Sequence, residues 1–301
     1  MGKIIRYDKV KKKCSVPMFI HIELTERCPL NCRQCYCSLD RGKDLPWEIC
    51  YRYITEAAEL GVRRILLTGG EPLLYHRLSD AIKLISSYEM ESVFSTSGVG
   101  ISLEKCMELK NSGIDKVYVS LNGSCEQIHN LSRDCFKEAV KAIKMLKNEG
   151  IWCGINWVAR HDNVQDFENL CTLAKELKVD RIDILSNKSD RYGKVVSEIS
   201  WEDLNKLSNK IREDFVKGYV TVELCYPELI HLLPDTSFPT MCEECTAGRL
   251  FMEVNVDGSF SKCRHQRNKN FNYTTMKAFW EHCVYDISNC CLLRKDENNA
   301  I

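Results

Sequence analysis

Six short runs rich in Val, Ile and aromatic residues recur along the first two thirds of the chain. They are "MFIHIEL" (18–24), "RRILLT" (63–68), "ESVFST" (91–96), "DKVYVSL" (115–121), "IWCGINWV" (151–158) and "DRIDIL" (180–185). Length and composition predict β-strands. Between them lie longer segments whose apolar positions return every three or four residues: "WEICYRYITEAAEL", "RLSDAIKLISSY", "LEKCMELKNS", "FKEAVKAIKMLKNEG" and "VQDFENLCTLAKEL". These read as amphipathic helices. In the fourth, Ala139, Val140, Ile143 and Leu146 carry the period and Gly150 closes the helix. Strand and helix in alternation predict a parallel sheet with right-handed crossovers. Short strands in units of about 30 residues favour a partial (β/α)6 TIM-like barrel, with a doubly wound sheet as the alternative. In a barrel the chemistry sits at the C-terminal ends of the strands.

"SWEDLNKLSNKIREDF" (200–215) is a further helix, with Ser200 placed as its N-cap. Beyond it the periodicity fades and cysteines recur among loop-like residues. The expected organisation is therefore an N-terminal extension (1–16), an α/β barrel (17–215) and a small cysteine-rich domain (216–301). The last contains a β-hairpin, because "NVDGSF" sets Asp-Gly at 257–258 between two β-type runs.

Composition narrows the function classes. Lys and Arg balance Asp and Glu, 42 against 42, so the chain as a whole has no electrostatic case for nucleic acid. The basic run "KVKKK" (9–13) reads as a solvated terminus. No stretch approaches the roughly 18 apolar residues that span a bilayer. No apolar segment follows the basic start, as a secretory signal requires. A cytoplasmic location is expected. There, disulfides are disfavoured, and eighteen cysteines point to metal or redox chemistry. Cys50, Cys106, Cys153 and Cys171 fall in apolar-patterned segments and read as small core residues.

"TERCPLNCRQCYC" (25–37) directly follows the first predicted strand. A disulfide knot, a zinc site and an iron–sulfur cluster all compete for these cysteines. Zinc usually takes four ligands as paired CxxC units. Here the spacing is Cys28-x3-Cys32-x2-Cys35, three thiolates on one compact loop, which leaves one iron of a cubane open. Spacing and position favour a [4Fe–4S] cluster.

With Tyr36 after Cys35, this loop resembles that of the radical S-adenosylmethionine (SAM) enzymes. Two further segments carry the resemblance in the same order. Gly69, Gly70 and Glu71 in "LLTGGEPLL" match the family's GGE motif after the second strand. "VYVSLNGSCEQIHNLSRD" (117–134) is similar to its strand-4 segment, with Asn122 where Asp is usual. The resemblance implies that Cys28, Cys32 and Cys35 ligate the SAM-binding cluster and that Tyr36 helps bind adenine. It implies that Gly69, Gly70 and Glu71 receive the methionyl amino group. Ser120 would lie near the ribose or carboxylate, and Arg133 would be the carboxylate partner, since a guanidinium fork suits that group. Cys37 falls outside the pattern, His129 is expected to structure its loop, and "STSG" (95–98) is either a plain turn or an approach to the cofactor.

"CTAGRLFMEVNVDGSFSKC" (245–263) resembles the opening of a SPASM or Twitch domain, which binds auxiliary [4Fe–4S] clusters. One auxiliary cluster is expected, held by Cys245 and Cys263, completed by Cys242 and one of Cys283, Cys290 or Cys291. A structural zinc on the same cysteines is the alternative. The hairpin is expected to return Cys263 towards the start of the first strand.

The resemblance implies an oxidoreductase that reductively cleaves SAM to a 5′-deoxyadenosyl radical, which then abstracts hydrogen from an unreactive C–H bond. The favoured substrate is a ribosomally made peptide, with oxidative crosslinking ahead of epimerisation. Alternatives are a radical dehydrogenase or rearrangement enzyme acting on a small metabolite, and a non-catalytic iron–sulfur or zinc scaffold. The expected partners are a flavodoxin- or ferredoxin-type electron donor and a peptide. The peptide docks directly or through a separate recognition protein, since about sixteen residues before the first strand are too few for a fused recognition domain.

Overall fold

The computed structural model describes residues 13–37, 42–215, 219–222, 229, 232–233, 246–264 and 273–282. β/α units follow one another from the N-terminus. They comprise β1 (Phe19–Thr25), α1 (Trp47–Leu60), β2 (Arg64–Gly69), α2 (Leu78–Ser87), β3 (Glu91–Thr96), α3 (Leu103–Asn111) and β4 (Lys116–Ser120). The series continues with α4 (Glu126–His129), α5 (Phe136–Asn148), β5 (Cys153–Val158), α6 (Phe167–Glu176), β6 (Arg181–Leu185) and α7 (Trp201–Phe215). After these come β7 (Val220–Val222), β8 (Phe251–Val254), β9 (Phe260–Ser261) and α8 (Met276–His282). The helix expected from residue 164 begins as a 3-10 turn at Val164–Asp166 before α6 takes over.

Local chemistry explains where the helices stop. Gly61 ends α1 at φ +80°, a left-handed turn that lets its N–H reach back to Ala57 and Ala58. Ser102 caps α3 by accepting from the Lys105 N–H at 3.1 Å. Gly150, at φ +73°, turns the chain after α5, and the Ile151 N–H returns to the Leu146 carbonyl.

β1 to β6 form one parallel sheet in chain order, and β7 adds to it beside β6. This is the partial barrel that the alternating pattern predicts. The sheet also runs past β1: β8 pairs parallel to it, with Phe19 opposite Phe251 and His21 opposite Glu253. β9 turns back antiparallel on β8, as the Asp-Gly turn requires. The hairpin therefore belongs to the same sheet as the barrel strands. A division of the chain near residue 216 is crossed by this hydrogen bonding at both sheet edges.

One face of the sheet packs under the helices. Ile20, Ile22, Ile65, Leu67, Phe94, Val117, Val119, Ile155, Trp157, Ile182 and Ile184 are fully buried there. Each such side chain contributes about 1.5–3 kcal/mol on burial. Cys50, Cys106, Cys153 and Cys171 lie in the same core, as their apolar surroundings suggest. The alternate positions look away from the helices and mix polar His21, Thr68, Ser95, Ser120, Asn156 and Asp183 with apolar Phe19, Leu66, Val93 and Val158. No helix among the described residues is long and apolar enough to cross a membrane.

Candidate functional site

The loop bearing Cys28, Cys32 and Cys35 leaves the C-terminal end of β1, where it meets the ends of β2 and β4. The Gly70 N–H bonds the Thr25 carbonyl at 2.6 Å and the Glu71 N–H bonds the Arg27 carbonyl at 2.8 Å. The approach is so close that only glycine fits. A Cβ on Gly69 would stand 2.3 Å from the Thr25 oxygen, and one on Gly70 2.3 Å from the Arg27 oxygen. Gly69 also has φ +141°, which L side chains rarely adopt. The two glycines thus press the end of β2 against the root of the cysteine loop.

The Glu71 carboxylate is buried and committed. It accepts from the Thr96 hydroxyl at 2.7 Å, the Ser97 N–H at 2.8 Å and the Ser97 hydroxyl at 2.6 Å. Burial pushes its carboxyl up, against the pull of these donors. The "STSG" turn therefore serves as the clamp on Glu71. Gly98 completes it, since a Cβ there would stand 2.9 Å from Ala142 Cβ in α5.

The β4 segment closes the loop from the other side. The Arg33 N–H bonds the Ser132 carbonyl at 2.9 Å, and Arg133 Nη2 lies 3.9 Å from Cys32 Sγ. His129 structures this segment, as expected. Its Nδ1 accepts from the Asn122 N–H at 3.1 Å while Nε2 lies 3.1 Å from the Asp134 carbonyl, so the proton sits on Nε2. Burial, aided by the Arg133 charge, lowers its pKa to about 4. Asn122, fully buried, donates to the Ser132 hydroxyl at 2.8 Å and accepts from the Val158 N–H at 3.2 Å. The amide supplies a donor and an acceptor at once, which an ionised Asp cannot. Ser120 is half-buried at the end of β4, opposite Asn156.

Around the thiols the electrostatics are uneven. Burial raises the Cys28 thiol, and neighbouring Glu71, Cys32 and Cys35 add to this. Cys35 is drawn down to about 6, chiefly by a hydrogen bond from the Cys37 thiol, helped by the Cys37 N–H and by Arg191 and Arg133. Cys37 also approaches the Gly69 carbonyl at 3.6 Å, so this buried thiol bridges the two motifs.

Four residues near the loop carry no motif signal. Arg160, wholly buried just after β5, donates to Gln34 between Cys32 and Cys35 at 3.1 Å. Arg191, after β6, donates to the Cys32 carbonyl through Nη2 at 2.9 Å and to the Cys35 carbonyl through its backbone at 3.1 Å. Arg264 donates to the Tyr36 hydroxyl at 2.5 Å and lies over its ring, and it also pairs with Glu253 at 3.0 Å. His21 completes that group, 3.0 Å from Glu253. His21 and Glu253 could have been suspected as charged positions inside apolar strands. The arginines could not.

Three thiols on one loop suit a thiolate-ligated iron–sulfur cluster. Among the described residues no three His, Cys, Asp or Glu side chains close round a single metal ion. Among the described residues, Arg133 Nε and Arg191 Nε and Nη1 are buried without a hydrogen-bond partner. Buried charged donors need an acceptor, and an anionic cluster or the carboxylate of SAM would provide one. The site's own residues thus fit both groups. Cys263 is half-buried against Ala247 and Phe251, so the hairpin returns it to the start of its own first strand, β8. Cys242, Cys245, Cys283, Cys290 and Cys291 lie outside the described residues.

Known folds extend the likeness. SuiB of Streptococcus suis, bound to its precursor peptide SuiA, matches with a TM-score of 0.75 and 19% identity over 89% of this chain. The match takes in 65% of the SuiB chain, so this protein spans just under two thirds of that relative. SuiB bound to S-adenosylmethionine matches with a TM-score of 0.76 and 19% identity, over 93% of this chain and 68% of that one. Native anSMEcpe with bound AdoMet and Cp18Cys peptide matches with a TM-score of 0.68 and 20% identity, over 87% of this chain and 80% of that one. At these identities the likeness is one of fold. Residues 22–174, from β1 to α6, match the sequence model of the radical SAM superfamily. That stretch holds the cysteine loop, the paired glycines and the Arg133 segment, and the chain belongs to the radical SAM superfamily.

Proposed function

We propose that this protein uses SAM and a [4Fe–4S] cluster at Cys28, Cys32 and Cys35 to modify a peptide by hydrogen abstraction. The observation that carries the reading is the meeting of three strand ends at the cysteine loop. Gly70 and Glu71 bond its root, and Arg133 lies against Cys32. Together the two cofactors supply a radical able to take hydrogen from an unreactive C–H bond, and the protein supplies binding, aim and exclusion of water. In this reading Arg133 holds the carboxylate of SAM, and Ser120 stands near the ribose. The backbone from Gly69 to Glu71 takes the amino group, since the Glu71 side chain is already engaged by Thr96 and Ser97. Tyr36 borders the adenine.

The peptide reading is supported by the folds of SuiB and anSMEcpe, both seen with peptides. The outcome proposed is net oxidation, such as a crosslink, with a flavodoxin- or ferredoxin-type protein as electron donor. An auxiliary [4Fe–4S] cluster at Cys263 and Cys245, completed by Cys242 and one of Cys283, Cys290 or Cys291, would accept the electron left on the substrate. A SPASM- or Twitch-like segment over residues 216–301 is part of the same proposal.

The test is anaerobic incubation of the reconstituted protein with SAM, a reductant and a precursor peptide encoded beside its gene. The peptide mass should fall by two hydrogens, about 2 Da, as a crosslink or desaturation requires. An unchanged peptide, with turnover of a small metabolite under the same conditions, would move the assignment to a small-molecule radical enzyme.

A further inference from the structure

Arg191 lies far in sequence from the cysteine loop, yet it is bound to that loop twice. Its backbone N–H reaches the Cys35 carbonyl at 3.1 Å, and its Nη2 reaches the Cys32 carbonyl at 2.9 Å. One residue therefore spans the turn that carries two of the three clustered thiols.

Its own position is rigidly set. Asp190 folds the segment into a tight turn: its carboxylate accepts from the Tyr192 N–H and the Lys194 N–H, both at 2.9 Å. Gly193 adopts φ +76° within it, and its N–H closes on the Asp190 carbonyl. The turn is then anchored at Arg191. A loop that served only to connect β6 with α7 would not need both an internal brace and two bonds to the cysteine loop.

The guanidinium lies 5.9 Å from the Tyr192 ring centroid, and two of its nitrogens are left without an acceptor. Nε and Nη1 are buried and have no hydrogen-bond partner among the described residues. A guanidinium stays charged at any ordinary pH, and leaving buried charged donors unmet is costly. Arg133 lies against Cys32 on the same loop. Arg160 reaches Gln34 but is already paired with Asp162. Of these three arginines that reach the loop from elsewhere in the chain, Arg191 is thus the one that combines two bonds to the Cys32–Cys35 turn with two donors left without an acceptor among the described residues.

From this juxtaposition we infer that Arg191 is a positioning residue for the cluster itself: it braces the Cys32–Cys35 turn and directs its remaining N–H groups and charge at the cluster's sulfur atoms, so favouring the reduced state. The inference rests on a cluster at Cys28, Cys32 and Cys35. A thiolate-ligated cluster is anionic and gains negative charge on reduction. A fixed cation and N–H···S bonds beside it stabilise the reduced form more than the oxidised one.

The experiment is an EPR-monitored redox titration of the reconstituted full chain without SAM. It follows the signal that is lost when Cys28, Cys32 and Cys35 are replaced. Wild type is compared with Arg191→Met, Arg191→Gln and Arg191→Lys, and iron content and SAM affinity are measured in parallel. In Met or Gln variants that keep full iron, the midpoint should move negative, with the reduced-to-oxidised ratio at a fixed potential falling about tenfold. If Met and Gln lose iron while Lys keeps it, the charge requirement stands. An unshifted midpoint at full iron overturns the inference, as does iron loss in all three variants. Weaker SAM binding with an unshifted midpoint also overturns it and assigns the donors to SAM. Wild type that holds no such signal would instead refute the cluster itself.

Discussion

Arg264 donates a hydrogen bond to the hydroxyl of Tyr36 at 2.5 Å. Tyr36 follows Cys35 in sequence and Arg264 follows Cys263. A single side-chain contact thus joins the loop of the clustered thiols to the hairpin at the other side of β1. Arg264 also holds Glu253, and His21 closes the group from β1. Burial alone would push the Glu253 carboxyl up, but the Arg264 charge and the His21 hydrogen bond hold it well below the usual carboxylate range.

Breaking that pair should expose its worth. Arg264→Met leaves a buried carboxylate without its cation and should cost about 3 kcal/mol at neutral pH, because the unpaired charge keeps its desolvation penalty. Arg264→Met combined with Glu253→Gln should recover more than half of the loss. Because the Glu253 pKa is depressed in the folded state, its stabilisation is present above the unfolded carboxylate pKa and fades as pH falls through the folded one. Urea denaturation of the single and double variants measures both effects. Additive losses would show that the pair is not coupled.

The paired glycines should tolerate no side chain. Gly70→Ala forces a Cβ to within 2.3 Å of the Arg27 carbonyl and must move the cysteine loop. Iron bound after reconstitution, and SAM cleavage with it, should fall at least about tenfold, as loss of support for metal ligands does elsewhere. Gly42→Ala, where a Cβ meets nothing within 4 Å, is the control and should behave as wild type. Normal iron in Gly70→Ala would refute the close-approach argument.

His129 should give the fold a pH dependence of definite sign. Its pKa is lowered to about 4 by burial, so the unfolded chain binds its proton first. Stability from this residue is complete above its unfolded pKa, near 6.5, and declines as pH falls towards about 4. The slope is at most about 1.4 kcal/mol per pH unit. Denaturation of wild type and His129→Gln between these limits should show a smaller slope in the variant. Parallel curves would place the acid sensitivity elsewhere.

Removing the three loop thiols should separate the two proposed clusters. The variant with Cys28, Cys32 and Cys35 all replaced by Ala should lose SAM cleavage entirely while retaining about four of about eight irons per chain. Retained SAM cleavage would sink the assignment of these thiols. Bound zinc, or no metal, in the variant would sink the auxiliary cluster and leave Cys263 a packing residue.

The chain's local chemistry determined its elements. Helix period, the Gly61 and Gly150 turns and the Ser102 cap are read within a few residues of one another, so they survive translation from sequence to structure almost unchanged. The cysteine loop and the paired glycines were legible for the same reason: spacing along the chain is itself their signal. Tertiary structure decided the rest. Arg264 and Tyr36 stand 228 positions apart, and Arg191 and Cys32 159. No local pattern marks an arginine that will meet a loop so distant. Glu71 was legible as a motif residue, but its carboxylate proved to be held by Thr96 and Ser97 at the end of a neighbouring strand. The pairing of β8 with β1 was hidden too, because β-type character says that a strand will pair but not with which partner. The register across that pair brings Glu253 opposite His21 and so brings Arg264 within reach of Tyr36.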